Sequence, residues 1–143
     1  MSRRTEARRR REAEILSAAA AILADRGFHQ TRLEDVGSAV GISGPALYRY
    51  FSGKEELLAQ ILIDISIRLV DGARAVLDRA KSNDWGPEET LRGLLSHHVH
   101  FAVTEPDRIR VQEREGGKSG ARAERKGAFL AASLHGLMGG CSA

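Results

Sequence analysis

Gly41-Ile42-Ser43-Gly44-Pro45-Ala46-Leu47-Tyr48-Arg49-Tyr50-Phe51 is the stretch on which the reading of this chain turns. Gly41 suits the left-handed residue that closes a helix, and Ile42 supplies an apolar plug for the turn. Ser43 is a good N-cap, and Pro45 falls in the first helical turn, where a missing amide hydrogen costs little. The spacing predicts a short helix from Gly44 to about Tyr50. Leu47 and Phe51, four apart, would hold its rear face to a core while Tyr48 and Arg49 point outward. Gly44, Pro45 and Ala46 keep its front slim enough for a DNA major groove about 12 Å wide, which is the build of a helix-turn-helix.

Upstream, Thr31-Arg32-Leu33-Glu34 reads as a capping box that starts a helix at Thr31, with Leu33, Val36 and Val40 on its apolar face. Gly37 weakens that helix by up to about 1 kcal/mol relative to Ala. Before it, Ile15, Ala18, Ala19, Ile22 and Leu23 form one helical stripe within about Arg9 to Arg26, and Gly27 sits at a left-handed C-cap with Phe28 folding back. The charged start, with Arg3, Arg4 and Arg8 to Arg11, is expected to begin disordered and become helical. It suits either a DNA-backbone arm or a solvated, frayed helix end.

Downstream, Ser52-Gly53-Lys54-Glu55 repeats a Ser-x-x-Glu capping signal. Leu57, Leu58, Ile61, Leu62, Ile65, Leu69, Ala73, Val76 and Leu77 then carry one long helix. A loop at Lys81 to Gly86 precedes a helix that starts at Pro87, carries Leu91, Leu94, Leu95, Val99 and Ala102 inward, and ends before Pro106. Asp107 to about Glu115 reads as a short charged helix and Gly116 to Gly120 as a break. A last helix is expected from about Arg122 to Met138, with Phe129, Ala132 and Leu137 inward. The fold expected is therefore all-α: an N-terminal three-helix helix-turn-helix unit, residues 1–53, joined by a long fourth helix to a small helical C-terminal unit, residues 54–143.

Charge divides along the same line. Residues 1–53 hold nine arginines against six acids, whereas the remainder is neutral, so the whole net charge of +3 sits in the head. A polyanion-binding head on a neutral body shows this asymmetry. Cys141 is the only cysteine, which excludes an intrachain disulfide and fits a reduced, cytoplasmic setting. No run of about 18 apolar residues occurs, so neither export nor membrane insertion is expected.

Gly27-Phe28, Thr31, the Gly41 to Phe51 block and Ser52-Gly53-Lys54-Glu55-Glu56-Leu57-Leu58 together resemble the N-terminal signature of the TetR (tetracycline repressor) family over about residues 9–62. The joint spacing of the Leu-Tyr-x-x-Phe and Lys-Glu-x-Leu blocks makes the resemblance specific. It implies a sequence-specific transcriptional regulator that binds a palindromic operator in double-stranded DNA as a homodimer, and by the family's habit represses. Tyr48 and Lys54 match the family's backbone-contacting positions, and Thr31 and Ser43 would add phosphate contacts as N-caps. Gly44, Pro45 and Ala46 match base-proximal positions suited to thymine methyl groups, and Arg49 suits phosphate or guanine. A capping Thr31, however, needs no DNA to explain it.

The resemblance also implies a C-terminal ligand pocket and a dimer interface made by the last two helices of each protomer. Too few helices are legible after Lys81 for that arrangement, so the C-terminal unit reads as shortened or altered. Ser96 to Ala102 with Glu105-Pro106-Asp107 is similar to effector domains of actinobacterial regulators of lipid and acyl-coenzyme A catabolism. That makes Trp85, His97, His98 and Phe101 candidate contacts for a small apolar or acyl-coenzyme A-like effector. Trp85 also suits a loop anchor, and the histidines a polar lining or surface. His97 and His100, i and i+3 on a helix, could share a metal ion, but no Cys or carboxylate of fitting spacing joins them, so no metal or cofactor is assigned. Two rivals stand beside the regulator. One is a truncated helix-turn-helix protein without a working effector or dimer domain; the other is a small helical enzyme or metal binder using these histidines, for which no nucleophile, paired carboxylate or phosphate loop is present.

Overall fold

The computed structural model of the chain describes residues 2–116, and their regular structure is helical throughout. The helices are α1 (Arg3–Arg26), α2 (Leu33–Val40), α3 (Gly44–Leu47), α4 (Lys54–Ser82), α5 (Pro87–Thr104) and α6 (Pro106–Glu115). The helix expected over 122–138, the break from Gly117 and Cys141 lie outside the described residues.

α1 starts earlier than its apolar stripe. The Ser2 hydroxyl accepts the Thr5 amide, and Arg8–Glu12 and Arg11–Glu14 pairs run along the first turns, so the charged start is helical from Arg3. Burial begins only at Ile15 and continues through Ala19, Ala20, Leu23 and Ala24. Gly27 ends the helix at φ 79°, as a glycine position should, but its ψ of 168° is extended rather than left-handed helical.

Thr31 does not cap α2. It is 2% exposed and its hydroxyl donates to the Gly27 carbonyl at 2.7 Å, tying the loop to the end of α1. Arg32 takes the N-cap position without a side-chain bond, and Glu34 and Asp35 supply the negative charge that a helix N-terminus favours. Gly37 is more than a weak spot in α2. A Cβ there would lie 2.8 Å from the Ile42 carbonyl oxygen, and the Ile42 amide donates to the Gly37 carbonyl at 2.9 Å. Gly41, left-handed at φ 72°, ψ 32°, lets the chain make that close return.

α4 runs 29 residues, about 44 Å, and serves two neighbours. Leu57, Leu58, Ile61 and Ile65 bury in one cluster with Ile15, Leu23, Val36, Leu47, Phe51, Phe101 and Val111, whereas Val76 and Ala80 face α5. α4 and α5 are antiparallel in a register set by two glycines. Gly72 lies against the His97 ring, and Gly93 against Val76, where an added Cβ would come within 2.9 Å. Trp85 tucks over the same Gly93, so the loop tryptophan anchors the hairpin.

α5 departs from the expected inward stripe. Leu91, Leu95 and Val99, with Val103, are more than half exposed, and Phe101 is the buried apolar residue of the helix. Four residues per step along one helix form a continuous side, and no described element covers it.

α6 binds the bundle together through charge. Arg108, 3% exposed, donates to Asp64 of α4 at 2.6 Å and to Glu105 at 3.1 Å, and Arg68 joins the same two carboxylates. At its other end, Arg114 donates to the Ala24 carbonyl at the negative end of α1, and Glu115 accepts the Phe28 amide.

Gly37→Ala should lower stability by up to about 2 kcal/mol in urea denaturation, because an overpacking cost of about 1–3 kcal/mol is offset by a gain of about 1 kcal/mol in helix propensity. A stabilised variant would contradict the close return at Ile42. Arg108→Met should cost about 2–3 kcal/mol by the same assay, since the two partly solvated carboxylates lose their buried partner and keep only the more exposed Arg68.

Candidate nucleic-acid interface

α3 is one turn long and is fixed from outside itself. Ser43 caps it as expected, accepting the Ala46 amide at 3.3 Å. Regular helix ends at Leu47, three residues short of the expected Tyr50, and the Arg49 and Tyr50 amides return to the Ala46 and Leu47 carbonyls in tighter turns. Leu47 is fully buried and Phe51 is 5% exposed, so the rear anchor is as read. Ser43, Pro45 and Arg49 are exposed, Tyr48 is 56% exposed, and Gly44 and Ala46 are half-buried behind them. These six candidates, interrupted by the buried Leu47, therefore share one short surface segment. Thr31 does not join it, because its hydroxyl is spent inside the α1–α2 loop.

Lys54 is half-buried rather than extended into solvent. Its ammonium donates to the Phe28 carbonyl at 2.9 Å and the Thr31 carbonyl at 3.4 Å, and stands 4.4 Å from the centre of the Phe28 ring. The first residue of α4 thereby holds the α1–α2 loop, and of its three N–H donors one is left for an anion. The expected Ser-x-x-Glu box is also displaced by one residue. Gly53 holds the N-cap position, and Glu56 rather than Glu55 reaches back to the Ser52 amide. Hydrogen bonds from the Ser52 side chain and backbone hold the Glu56 carboxyl below its ordinary value of 4.5.

The sequence pattern missed how α1 meets this segment. Arg8 donates to the Arg49 carbonyl at 3.0 Å and stacks 5.1 Å from the centre of the Tyr50 ring. The i, i+4, i+7 spacing of Arg4, Arg8 and Arg11 was the available signal, but its partner lies about forty residues away.

The four candidate effector contacts are not gathered into a pocket. Phe101 is in the main core, His98 is exposed, and Trp85 and His97 are packed on the α4–α5 hairpin against Gly93 and Gly72. His97 and His98 are successive on a helix and so point about 100° apart. The His97 Nε2 is buried without a hydrogen-bond partner among the described residues. The cleft beside α6, of about 150 Å³, is lined instead by Ser17, Ala20 and Thr104 to Arg108. Among the described residues no cluster of three or more His, Cys, Asp and Glu side chains could hold a metal ion, and no helix is long and apolar enough to cross a membrane.

Residues 15–61 match the family model described as bacterial regulatory proteins, tetR family. The chain is 36% identical over 85 residues to the HTH-type transcriptional repressor KstR2 of Mycolicibacterium smegmatis, covering 59% of this chain and 40% of that protein. It is 34% identical over 91 residues to the HTH-type transcriptional activator FasR of the same organism, covering 64% and 40%. It thus spans about two fifths of the length of these relatives. Among solved structures, a TetR-like transcriptional regulator from Rhodococcus sp. RHA1 superposes with a TM-score of 0.64 at 28% identity, over 86% of this chain and 70% of that one. A TetR family regulator from Marinobacter aquaeolei VT8 reaches 0.70 over 94% and 70%, and at 24% identity it shows the fold alone.

Lys54→Ala should lower the thermal stability of the head by about 1–2 kcal/mol, the worth of charge-assisted bonds to two carbonyls discounted for partial exposure. An unchanged melting curve would show that the ammonium is not engaged in the loop.

Proposed function

We infer that this chain, which belongs to the TetR family of bacterial regulators, is a sequence-specific DNA-binding transcriptional regulator whose α3 enters the major groove. The observation that carries the reading is an exposed Ser43-to-Arg49 segment held from behind by Leu47 and Phe51. Pro45, with Gly44 and Ala46 behind it, would meet base edges and thymine methyl groups; Tyr48, Arg49, Ser43 and the spare proton of Lys54 would meet phosphates. Residues 1–53 act as the reading unit and the chain from Lys54 as the regulatory and pairing unit, although the two share one core.

Two copies would place their α3 segments about 34 Å apart on a pseudo-palindrome. The apolar side of α5 through Leu91, Leu95, Val99 and Val103 supports association, since such contiguous exposed surface marks contact sites. The direction of regulation adopted is repression, the activity named for KstR2, while FasR is named an activator. A cytoplasmic setting follows from a DNA partner. A small apolar or acyl-coenzyme A-like effector stays part of the proposal, without support from the scattered Trp85, His97, His98 and Phe101. The relatives are named as regulators, and a regulator rather than an enzyme is the reading adopted.

Tyr48→Ala should weaken binding to DNA flanking the protein's own gene at every salt concentration in fluorescence anisotropy, and Lys54→Ala should lower the salt slope by about 0.9. Wild-type affinity in both folded variants would contradict the docking. Light scattering should give a dimer at micromolar concentration; a monomer would favour a truncated, poorly binding head.

A further inference from the structure

The first turns of α1 have no core to bury. Residues 2–10 are all exposed, yet the segment is a capped helix, and between residues 3 and 11 it carries six arginines against the single acid Glu6. A helix end with this composition is ordinarily a solvated one, and like charges at i, i+4 spacing oppose it. Here Arg8 fastens it. Arg8 bonds the Arg49 carbonyl, stacks on Tyr50 and pairs with Glu12, which binds the basic face to the turn that carries Tyr48 and Arg49.

That fastening builds a cleft of about 440 Å³ lined by Arg4, Ala7, Arg8, Arg11 and Tyr50. Ala7 leaves room between the long side chains. Arg8 keeps three of its five N–H donors after its bonds to Glu12 and Arg49, and Arg11 is committed to Glu14 through one nitrogen. Arg4 to Arg11 spans about 10.5 Å of helix, over which one DNA strand presents about three phosphates.

We propose that the Arg4–Arg8–Arg11 face, with Tyr50, is a second DNA contact that grips backbone phosphates flanking the segment read by α3. The inference rests on the groove-reading role of α3 and extends it. Guanidinium groups suit phosphate because their forked donors bond two oxygens at once. Contacts of this kind add affinity and fix orientation without reading bases, so they lengthen the bound site rather than sharpen it. Arg8 is also a positioning residue, because its bond to the Arg49 carbonyl sets the distance between the two contacts.

The test uses the full chain and two duplexes trimmed from the DNA flanking its own gene, one ending at the α3 footprint and one longer by several base pairs on each side. The double variant Arg4→Gln with Arg11→Gln leaves the Arg8 anchor intact, and circular dichroism checks its helix content. The salt slope on the long duplex should fall by about 1.8, two contacts at 0.9 each, with the short duplex unaffected. Tyr48→Ala should weaken both. An unchanged slope in the double variant, with Tyr48→Ala still weakening binding, overturns the flanking contact and leaves the groove reading standing. Wild-type affinity in Tyr48→Ala instead removes the groove reading. Equal loss on both duplexes places the arginines inside the footprint and overturns the flanking position. Loss of binding to phosphatidylglycerol vesicles with no change on DNA assigns the face to a lipid surface and likewise overturns it.

Discussion

A helix of one turn cannot hold its own shape, because nucleation fixes several residues for a single backbone bond. α3 therefore exists only as something imposed on it by its surroundings. Three constraints act together: the Ile42 amide returns to Gly37, Gly41 takes the left-handed turn that allows this, and Leu47 and Phe51 are buried in the shared core. The outward residues cost the fold little, since none of Ser43, Pro45, Tyr48 or Arg49 is needed for burial. That division of labour gives the segment a fixed position and a chemically free front.

The same economy extends into the body. Lys54 fastens the α1–α2 loop from the start of α4, Arg114 and Glu115 fasten the end of α1 from α6, and the Asp64–Arg108–Glu105–Arg68 group joins α4 to α6 at the point where α5 ends. Movement of α6 cannot leave α1 and α4 unaffected, because its side chains bond to both. Head and body are thus one mechanical unit with two surfaces, the basic front and the uncovered apolar side of α5. If two copies associate through that side, its fixed relation to α3 is what spacing on a two-fold DNA site would demand.

Much of this was legible locally. The Ser43 cap, the Gly41 turn, the Leu47 and Phe51 anchor, the long α4 and the start of α5 at Pro87 all follow from residues within a few positions of one another. The misreadings have a common cause in partners far along the chain. Thr31 looked like a cap because nothing local announces the Gly27 carbonyl it bonds; Gly37 looked like a weakness until Ile42 came within contact; and the α5 stripe looked inward because periodicity finds an apolar side without saying what covers it. Gly72 and Gly93 carry no local signal for the same reason, each being meaningful only opposite the other helix. The candidate effector residues are suggested by resemblance alone, and the helices place Trp85, His97, His98 and Phe101 in different surroundings.

Amide hydrogen exchange of the full chain with and without DNA from beside its own gene addresses the central claim most directly. Slower exchange should appear across residues 41–51 on binding, with the peptide over residues 87–96 of α5 unchanged. DNA binding that left residues 41–51 exchanging at their free rate would contradict a reading surface on α3.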